Sequence, residues 1–373
     1  MKTENGKWKT VRLGDICILE KGQQIDTSLL DNSKPYRYIN GGIKESGYYD
    51  DFNTSGESVL ISEGGASCGY INYVNENFWC GCHCYRLHDI KLFPKYLFHA
   101  LKANQQRIMA LRTGSAMPNI QKSTIQKFEL KIQEDTETQK QIAAQLDKCT
   151  QIIAKHKQML QKYDTLIKSR FIEMFGDEPT ENGKWKVEKL EELCKIITDG
   201  THQPPKFTTS GIPFLFVSNI AGNKITYETE KFISEETYTE LYKRTPIETG
   251  DILLSTVGSY GHPAIVETDK KFLFQRHIAY LKPKVELLNS VYFQSALLSP
   301  LGQKQIEERV KGIAQKTLNL SEIRKITIPV PPLELQNDFA AFVQQIDKSE
   351  FAVQKSLEKA ETLYKSLMQQ YFG

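Results

Sequence analysis

Hydrophobic residues follow a four-three alternation along two segments of the chain, residues 137–176 and 334–373. This spacing is typical of the seam of a coiled coil. Neither segment contains Gly or Pro before its closing Phe-Gly, so each is predicted to be one unbroken helix ending at a left-handed glycine cap. At a rise of about 1.5 Å per residue, each helix is roughly 55–60 Å long. The predicted seam positions are Ile142, Leu146, Ile153, Leu160, Ile167, Phe339, Val343, Ile346, Val353, Leu357 and Tyr364.

The second segment repeats the first at a constant offset of 197 residues and without a gap. We call the two segments repeat helix 1 and repeat helix 2. A second repeat opens each half of the chain, because the Asn-Gly-Lys-Trp-Lys sequence of residues 5–9 returns at 182–186. The duplication therefore involves whole halves. Shared residues of the helices include Glu137/Glu334, Gln139/Gln336, Ala143/Ala340 and Phe175/Phe372.

The regions outside the two helices have short apolar runs that are interrupted by Gly, Asn, Ser and Asp, a pattern of short strands and turns. We predict strands at 38–42, 58–62, 70–74, 78–87, 128–132, 214–217, 252–256, 264–266 and 272–281, and helices at 93–111, 234–242 and 290–310. The predicted fold class is α+β, with two mixed α/β heads separated by two long antiparallel coiled-coil helices in a pseudo-twofold internal repeat. The predicted domains are head 1 (1–136), repeat helix 1 (137–176), head 2 (177–333) and repeat helix 2 (334–373).

This arrangement has a geometric consequence. If the two helices pair, one leads from head 1 to head 2 and the other leads back, so they are antiparallel. We then expect both heads to face the same way. A pseudo-twofold protein of this kind is suited to two half-sites on duplex DNA, with the separation fixed by the protein.

Composition places few further limits on the chain. The 373 residues carry a net charge of +3, which permits a polyanionic partner without requiring one. No run of eighteen apolar residues suggests a membrane span, and the polar start lacks the apolar core of a signal peptide, so a cytoplasmic location without a membrane partner is expected. The 7 cysteines are expected to be reduced thiols.

Several motifs together resemble the specificity subunits of type I restriction-modification systems over the whole chain. They are the duplicated Glu-x-Gln-x-x-[Ile/Phe]-Ala-Ala starts of the repeat helices, Leu146-Asp147-Lys148, the sequence of 168–176, the two Trp-Lys openings and the Pro-rich run 328–333. The resemblance implies that each head is a target recognition domain for one half of a bipartite site in double-stranded DNA. It also implies that the helices set the gap and bind two modification subunits, with restriction subunits as further partners. S-adenosylmethionine, Mg²⁺ and ATP are then expected on partner chains, with no cofactor and no catalysis on this chain.

The candidate DNA-binding residues are polar or aromatic residues on loops, together with glycines that let backbone N–H groups approach phosphates or base edges. Arg favours guanine, whereas Asn and Gln favour adenine. Hairpin turns and ordinary loop surfaces give the same residue types. The candidates are Lys21, Gln23, Gln24, Tyr38, Asn40, Tyr48, Gly64, Gly65 and Ser67 in head 1, and Thr201, His202, Lys206, Asn219, Gly258, Ser259, Tyr260, Gln275 and Arg276 in head 2.

The Cys80-Gly-Cys82-His83-Cys84 sequence raises the question of a metal site. On one strand, three alternate cysteines would lie on one face and His83 on the other, and a zinc site usually needs a Cys-x-x-Cys turn with a second pair elsewhere. We therefore predict no metal and interpret the cysteines as small hydrophobic core residues.

Catalytic interpretations have little support. The Gln203-Pro-Pro-Lys206 sequence lacks both ends of an Asx-Pro-Pro-aromatic adenine-binding motif, and no phosphate-binding P-loop is present. The leading hypothesis is a non-catalytic DNA-reading subunit. The alternative is a coiled-coil interaction scaffold with two protein-binding heads.

Overall fold

The computed structural model describes residues 8–114, 117–176, 184–312 and 315–373. Residues 5–7 and 182–183 of the repeated opening sequence lie outside the described residues. The chain divides into two compact units. Unit 1 comprises Met1–Gln158 and Gln354–Gly373, and unit 2 comprises Met159–Val353. Each unit therefore contains part of both repeat helices.

Unit 1 contains strands β1 to β9. Strands β2, β8, β5 and β6 form an antiparallel sheet in that order, β3 lies between antiparallel β4 and parallel β7, and β1 pairs with β9. Their bounds are β1 Trp8–Arg12, β2 Ile18–Lys21, β3 Tyr36–Ile39, β4 Gly47–Tyr49, β5 Ser58–Ser62, β6 Ile71–Val74, β7 Phe78–Cys80, β8 Cys84–His88 and β9 Glu129–Gln133. The helices are α1 Leu13–Ile16, α2 Pro94–Ala103, α3 Gln105–Met109, α4 Lys122–Gln126 and α5 Thr136–Phe175, of which α5 continues into unit 2.

Unit 2 has the same strand topology. Its strands are β10 Lys186–Lys189, β11 Cys194–Asp199, β12 Ile212–Leu215, β13 Phe232–Ile233, β14 Ile252–Ser255, β15 Pro263–Ile265, β16 Leu273–Phe274, β17 Ile278–Pro283 and β18 Thr327–Val330. The sheets have the orders β11-β17-β14-β15, β13-β12-β16 and β10-β18, which match those of unit 1 one for one. The helices are α6 Leu190–Leu193, α7 Glu235–Tyr242, α8 Ser290–Leu298, α9 Pro300–Arg309, α10 Leu320–Ile323 and α11 Leu333–Phe372, of which α11 continues into unit 1.

The repeat helices are present as α5 and α11, each 40 residues long. Gly176 has a φ of +89° and donates its N–H to the Ile172 carbonyl at 2.8 Å, so the predicted left-handed cap is observed at the end of α5. Gly373 at the end of α11 does not have a positive φ, so the same prediction is wrong there. Every predicted seam position is buried or half-buried, and the neighbouring positions are mostly exposed. The burial is deepest where a helix end meets a globular core.

Within unit 1, the start of α5 packs beside the end of α11. Leu146 and Phe372 belong to the same buried cluster, and the Tyr371 hydroxyl donates to Gln145 Oε1 at 2.7 Å. Within unit 2, Phe171 near the end of α5 packs edge-on against Phe339 near the start of α11, with ring centroids 5.5 Å apart. The two helices are therefore antiparallel in each unit, and the α+β fold class is confirmed.

Four predicted elements are divided in the structure. The runs 78–87 and 272–281 each form two strands, because a turn separates β7 from β8 and β16 from β17. The predicted helix 93–111 breaks at Asn104, whose Nδ2 donates to the Ala100 carbonyl at 2.9 Å. The predicted helix 290–310 breaks at Ser299, whose Oγ accepts from the Gly302 N–H at 3.1 Å and caps α9. Among the described residues, no helix has the length and apolar character needed to cross a membrane.

Candidate nucleic-acid interface

The first loop of interest, loop A, follows the first strand of the larger sheet and comprises residues 22–24 in unit 1 and 200–202 in unit 2. In unit 1, the Gly22 N–H donates to the Cys84 carbonyl at 3.1 Å and the Gln23 N–H donates to the Cys80 carbonyl at 2.8 Å. A Cβ at Gly22 would lie 2.2 Å from the Cys80 carbonyl oxygen, so only glycine permits this approach. The equivalent bonds of unit 2 join Gly200 N to the Ile278 carbonyl at 3.2 Å and Thr201 N to the Phe274 carbonyl at 3.0 Å.

Loop C is the turn that divides the long apolar run, residues 81–83 in unit 1 and 275–277 in unit 2. The Gly81 N–H donates to the Ile39 carbonyl at 2.8 Å, and the His83 carbonyl accepts from the Glu63 N–H at 2.8 Å. In unit 2, the same bonds join Gln275 N to the Leu215 carbonyl at 3.1 Å and Thr256 N to the His277 carbonyl at 3.0 Å. Cys82 and Arg276 therefore occupy the same position in their turns.

Loop B follows the central strand of the sheet and comprises residues 63–68 in unit 1 and 256–261 in unit 2. Its glycines Gly65 and Gly258 have φ angles of +77° and +73°. A Cβ at either position would meet no atom within 4 Å. Glycine is favoured at these positions because the backbone is left-handed, not because a side chain would clash with a neighbour. The space around each glycine is open, so a ligand can approach the loop closely.

Loop D, which sequence reasoning missed, comprises residues 113–114 and 117–119 in unit 1 and residues 311–312 and 315–317 in unit 2. In unit 1, the Gly65 N–H donates to the Pro118 carbonyl at 2.9 Å, and the Ile120 N–H donates to the Glu63 carbonyl at 2.9 Å. In unit 2, the equivalent bonds join Gly258 N to the Lys316 carbonyl at 3.4 Å and Leu318 N to the Thr256 carbonyl at 2.8 Å. Pro118 and Lys316 are therefore equivalent positions.

A weak sequence signal for loop D does exist. Gly114 and Gly312 are separated by the same number of residues as Ser123 and Ser321, and both glycines have a left-handed φ. The backbone bonds just described join loop A to the residues on either side of loop C, loop C to loop B, and loop B to loop D, and we call these four loops of each unit its loop face. Exposed loops that carry polar side chains are suited to contact phosphates and base edges.

The unit 1 loop face brings three predicted residues together around one amide oxygen. Gln24 Oε1 lies 3.2 Å from the Tyr38 hydroxyl, 3.3 Å from Asn40 Nδ2 and 3.0 Å from Cys82 Sγ, each of which donates to it. Asn40 Oδ1 in turn accepts from the His83 N–H at 3.0 Å. In this structure, the polar groups of Gln24 and Asn40 hold loops A and C together.

The other predicted residues of unit 1 have different surroundings. Lys21, the last residue of β2, contacts the loop face because its Nζ forms an ion pair with Glu63 of loop B at 2.6 Å. Ser67 lies in loop B, and its Oγ donates to the Gly41 carbonyl at 2.7 Å. Gly64 lies in loop B, where it bridges to Asn119 of loop D. Tyr48 lies in β4 of the second sheet, outside the loop face.

Cys80 and Cys84 were expected on one strand but lie on two different strands. Cys80 ends β7 and Cys84 begins β8, with Cys82 in the turn between them. A hydrogen bond between the Cys80 and Cys84 thiols raises the pKa of Cys80 and lowers the pKa of Cys84. The Gly41 N–H also donates to Cys84 Sγ at 2.9 Å. Within the described residues, no group of three or more His, Cys, Asp or Glu side chains is placed to hold a metal ion.

In unit 2, loop A carries a charged cluster. His202 Nε2 lies 2.9 Å from Asp199 Oδ2, and Arg244 donates to Asp199 Oδ1 at 2.5 Å. A groove of about 430 Å³ beside this cluster is lined by Thr201, His202, Lys206, Arg244 and the carboxylate residue Glu240. This groove is open and has both a carboxylate and basic groups.

Asn219 is buried at 6 % exposure. Its Oδ1 accepts from the Phe216 N–H at 2.9 Å, and its Nδ2 donates to the carbonyls of Thr226 at 3.0 Å and Glu228 at 2.9 Å. All of its amide groups are engaged within the chain. The side chain therefore orders the loop after β12, and we do not retain it as a DNA contact.

Of the remaining predicted residues of unit 2, Arg276 lines a second groove of about 480 Å³, whereas Gln275 lies in loop C and Gly258, Ser259 and Tyr260 lie in loop B outside its lining. Arg276 is exposed, and its Nε lies 3.4 Å from His277 Nε2. Burial lowers the pKa of His277, and the neighbouring Arg276 charge lowers it further, so the imidazole is neutral near pH 7. Loop B carries Ser259 and Tyr260 beside Gly258, and Lys316 Nζ lies 5.9 Å from the centre of the Tyr260 ring. The groove is lined by Asp199, Thr256, Val257, Arg276, His277, Gln315, Thr317, Leu318, Asn319, Leu320 and Ser321.

Comparisons with known proteins agree with the duplicated fold. A Mycoplasma genitalium protein named as a type I specificity subunit is 29% identical over 199 residues, which make up 52% of this chain and 52% of that protein. The Methanocaldococcus jannaschii type I restriction enzyme MjaVIII specificity subunit is 22% identical over 392 residues, covering 97% of this chain and 91% of that protein. The match spans about half the length of the mycoplasma relatives.

Among solved structures, the crystal structure of a type I restriction-modification system S subunit from M. genitalium has the same fold. Its TM-score is 0.68 at 22% sequence identity, with 100% of this chain and 98% of that chain covered. A family model described as the type I restriction modification DNA specificity domain matches the chain twice, over residues 5–162 and 182–361. Because these two successive matches cover most of the chain, it belongs to the type I restriction-modification DNA specificity family.

Proposed function

We propose that this chain is the DNA-reading specificity subunit of a type I restriction-modification complex. Head 1 (1–136) and head 2 (177–333) each act as a target recognition domain for one half of a bipartite DNA site. The repeat helices set the gap between the half-sites and dock two modification subunits. The modification subunits catalyse methyl transfer from S-adenosylmethionine. Restriction subunits, when they join the complex, catalyse ATP- and Mg²⁺-dependent cleavage.

The observation that carries this proposal is the pair of loop faces. Their backbone hydrogen bonds are equivalent, but their side chains differ: Gln23 in loop A of unit 1 corresponds to Thr201, and Cys82 in loop C corresponds to Arg276. A constant backbone with variable side chains is what the recognition of two unlike base sequences requires, since base edges are distinguished by side-chain donors and acceptors.

Basic groups at the loop faces support binding to a phosphate backbone. Lys21 is about half exposed despite its ion pair with Glu63, and Arg276 and Lys316 are exposed. Each phosphate that such a group neutralises releases counterions, so affinity falls steeply as salt rises. The proposal therefore predicts strong salt dependence in a protein whose net charge is only +3.

The continuity of the repeat helices supports their role as a spacer. Each is 40 residues long and begins in one unit and ends in the other. A helix of that length spans about 60 Å at 1.5 Å per residue. Because a paired helix resists bending and stretching, its length can fix the distance between two reading surfaces.

Selection from a random pool of duplex DNA tests the proposal. The full chain is purified together with its modification subunits, and the bound duplexes are sequenced after several rounds. We expect a motif with two specified blocks and an unspecified gap, bound with an affinity that declines linearly on a log–log plot against salt. A complex that forms normally but enriches no sequence would instead support the interaction scaffold.

A further inference from the structure

The groove of unit 2 that Arg276 lines carries side chains that the equivalent loop positions of unit 1 lack. Three loops of the face line it: loop B through Thr256 and Val257, loop C through Arg276, and loop D through Gln315 and Thr317. Its volume is about 480 Å³, and both polar and apolar groups line it. It is thus a wide, shallow recess suited to the edges of bases.

The equivalent backbone bonds identify the corresponding residues of unit 1. Loop C places Cys82 where unit 2 has Arg276, and loop D places Met117 and Pro118 where unit 2 has Gln315 and Lys316. Met117 is 82 % exposed. Unit 1 therefore presents a thiol and apolar groups at positions where unit 2 presents hydrogen-bond donors and a cation.

We infer that loop D of unit 2 is a DNA-reading element, in which Gln315 recognises a base and Lys316 binds a backbone phosphate next to the base read by Arg276. This inference rests on the proposed function and adds the residues that determine the second half-site. Gln315 and Arg276 line the same groove, so both reach one short stretch of duplex. A Gln amide pairs with adenine through two hydrogen bonds, and a guanidinium pairs with guanine in the same way.

The surroundings of Lys316 distinguish it from the other lysine of loop D. Lys311 Nζ forms an ion pair with Glu322 at 3.4 Å, whereas Lys316 Nζ lies over the Tyr260 ring at 5.9 Å from its centre. The Lys316 backbone carbonyl accepts from the Gly258 N–H, which fixes the residue beside loop B. Within the part of the chain that the structure describes, Lys316 has no carboxylate within ion-pair distance, so its charge is suited to a phosphate contact beside the groove-lining residues Gln315 and Thr317.

The test uses the full chain in complex with its modification subunits and duplexes that carry the selected motif or single-base changes in it. Gln315→Ala is expected to reduce discrimination at one base pair of the second block by about tenfold to a hundredfold, with the first block unaffected. Lys316→Ala is expected to weaken binding to all duplexes equally and to lower the slope of log affinity against log salt by about one.

Lys195→Ala is the matched control. Lys195 is also an exposed lysine of unit 2, but it lies near the start of β11, whereas loop A follows the other end of that strand. Gln315 is exposed, so its replacement leaves the core intact, and Gln315→Lys provides a second test of altered base preference.

Unchanged discrimination at every position of the second block in both Gln315 variants would overturn the inference. A Lys316→Ala salt slope equal to that of the Lys195→Ala control would overturn the phosphate contact. Failure of the unmodified complex to select a split motif would instead reject the proposed function itself, so the two failures are distinguishable.

Discussion

His99 Nε2 lies 2.8 Å from Asp147 Oδ1, so that a buried imidazole of α2 is joined to repeat helix 1 within unit 1. Lys95 Nζ approaches the other carboxylate oxygen at 3.1 Å. Burial lowers the pKa of His99, although hydrogen bonding to Asp147 opposes this change. Among the described residues, no group accepts from His99 Nδ1, so a protonated ring would bury an unpaired N–H.

The stability of unit 1 should therefore fall on acidification. His99 in the unfolded chain takes up a proton near its ordinary pKa of about 6.5, whereas the folded state resists protonation, so stability decreases as pH falls through that range. Hydrogen exchange of the α2 peptide at pH 7.5 and 5.5, corrected for the intrinsic pH dependence of exchange, should report lower protection at the acidic pH. His99→Gln should reduce this difference, and the control His88→Gln, at a half-buried position of β8, should retain it. Equal pH dependence in all three proteins would contradict the assignment.

The buried glutamine at the start of each repeat helix should contribute strongly to stability. Gln336 Oε1 accepts from the Asn289 N–H at 2.9 Å, and its Nε2 donates to the carbonyls of Leu287 and Pro331. Gln336→Ala leaves buried backbone groups unpaired, at a cost of roughly 1–3 kcal/mol. The free energy of unfolding of unit 2, measured in urea, should be lower by this amount.

Gln139 provides the same test in unit 1, because its Oε1 accepts from the Phe93 N–H at 2.8 Å and its Nε2 donates to the Gln133 carbonyl at 2.7 Å. The matched control is Gln151→Ala, at an exposed position of the same helix. If Gln139→Ala or Gln336→Ala lowers the free energy of unfolding no more than the control does, these hydrogen bonds are dispensable.

Gly258 offers a test of loop conformation that leaves packing unchanged. Its φ is +73°, and an added Cβ would meet open space. Gly258→Ala should cost about 1–2 kcal/mol locally, because a left-handed backbone is unfavourable for alanine, and should weaken DNA binding by shifting loops B and D. Gly258→Asn should bind more tightly than Gly258→Ala, since asparagine tolerates this conformation. The opposite order in a binding titration would argue against a conformational role.

Much of the architecture could be predicted from the sequence because it depends on local rules. The seam from Ile142 to Ile167 follows from helical periodicity, and the cap at Gly176 follows from the conformational freedom of glycine. The turn after Cys80 could not be predicted, since the Asn40 side chain that holds it lies 43 residues from His83 in the chain.

The candidate contacts were harder to identify for the same reason. Asn219 has the composition of an exposed loop residue, but tertiary contacts with the Thr226 and Glu228 carbonyls bury it. Loop D has no hydrophobic period and little residue identity between the units. Its place in the loop face depends on backbone bonds to Gly65 and Gly258, which sequence patterns do not encode.

The spacer role predicts a change in gap without a change in specificity. Insertion of four residues near the middle of α5 lengthens the helix by about 6 Å and disturbs the seam only as a tolerated stutter. The selected DNA motif should keep both blocks, while the gap changes by about one or two base pairs at 3.4 Å each. An altered block with an unchanged gap would refute the role of repeat helix 1 as a spacer.

The central claim is that each unit reads one half of a split site, and the most direct measurement is sequencing of methylated bases in a host that expresses the chain with its modification subunits. We expect methylation within a motif of two blocks and an unspecified gap. Variants in the loop face of unit 1, such as Gln23→Ala, should change only one block, and Arg276→Ala in unit 2 should change only the other. A contiguous motif, or variants of both units that alter the same block, would contradict the account.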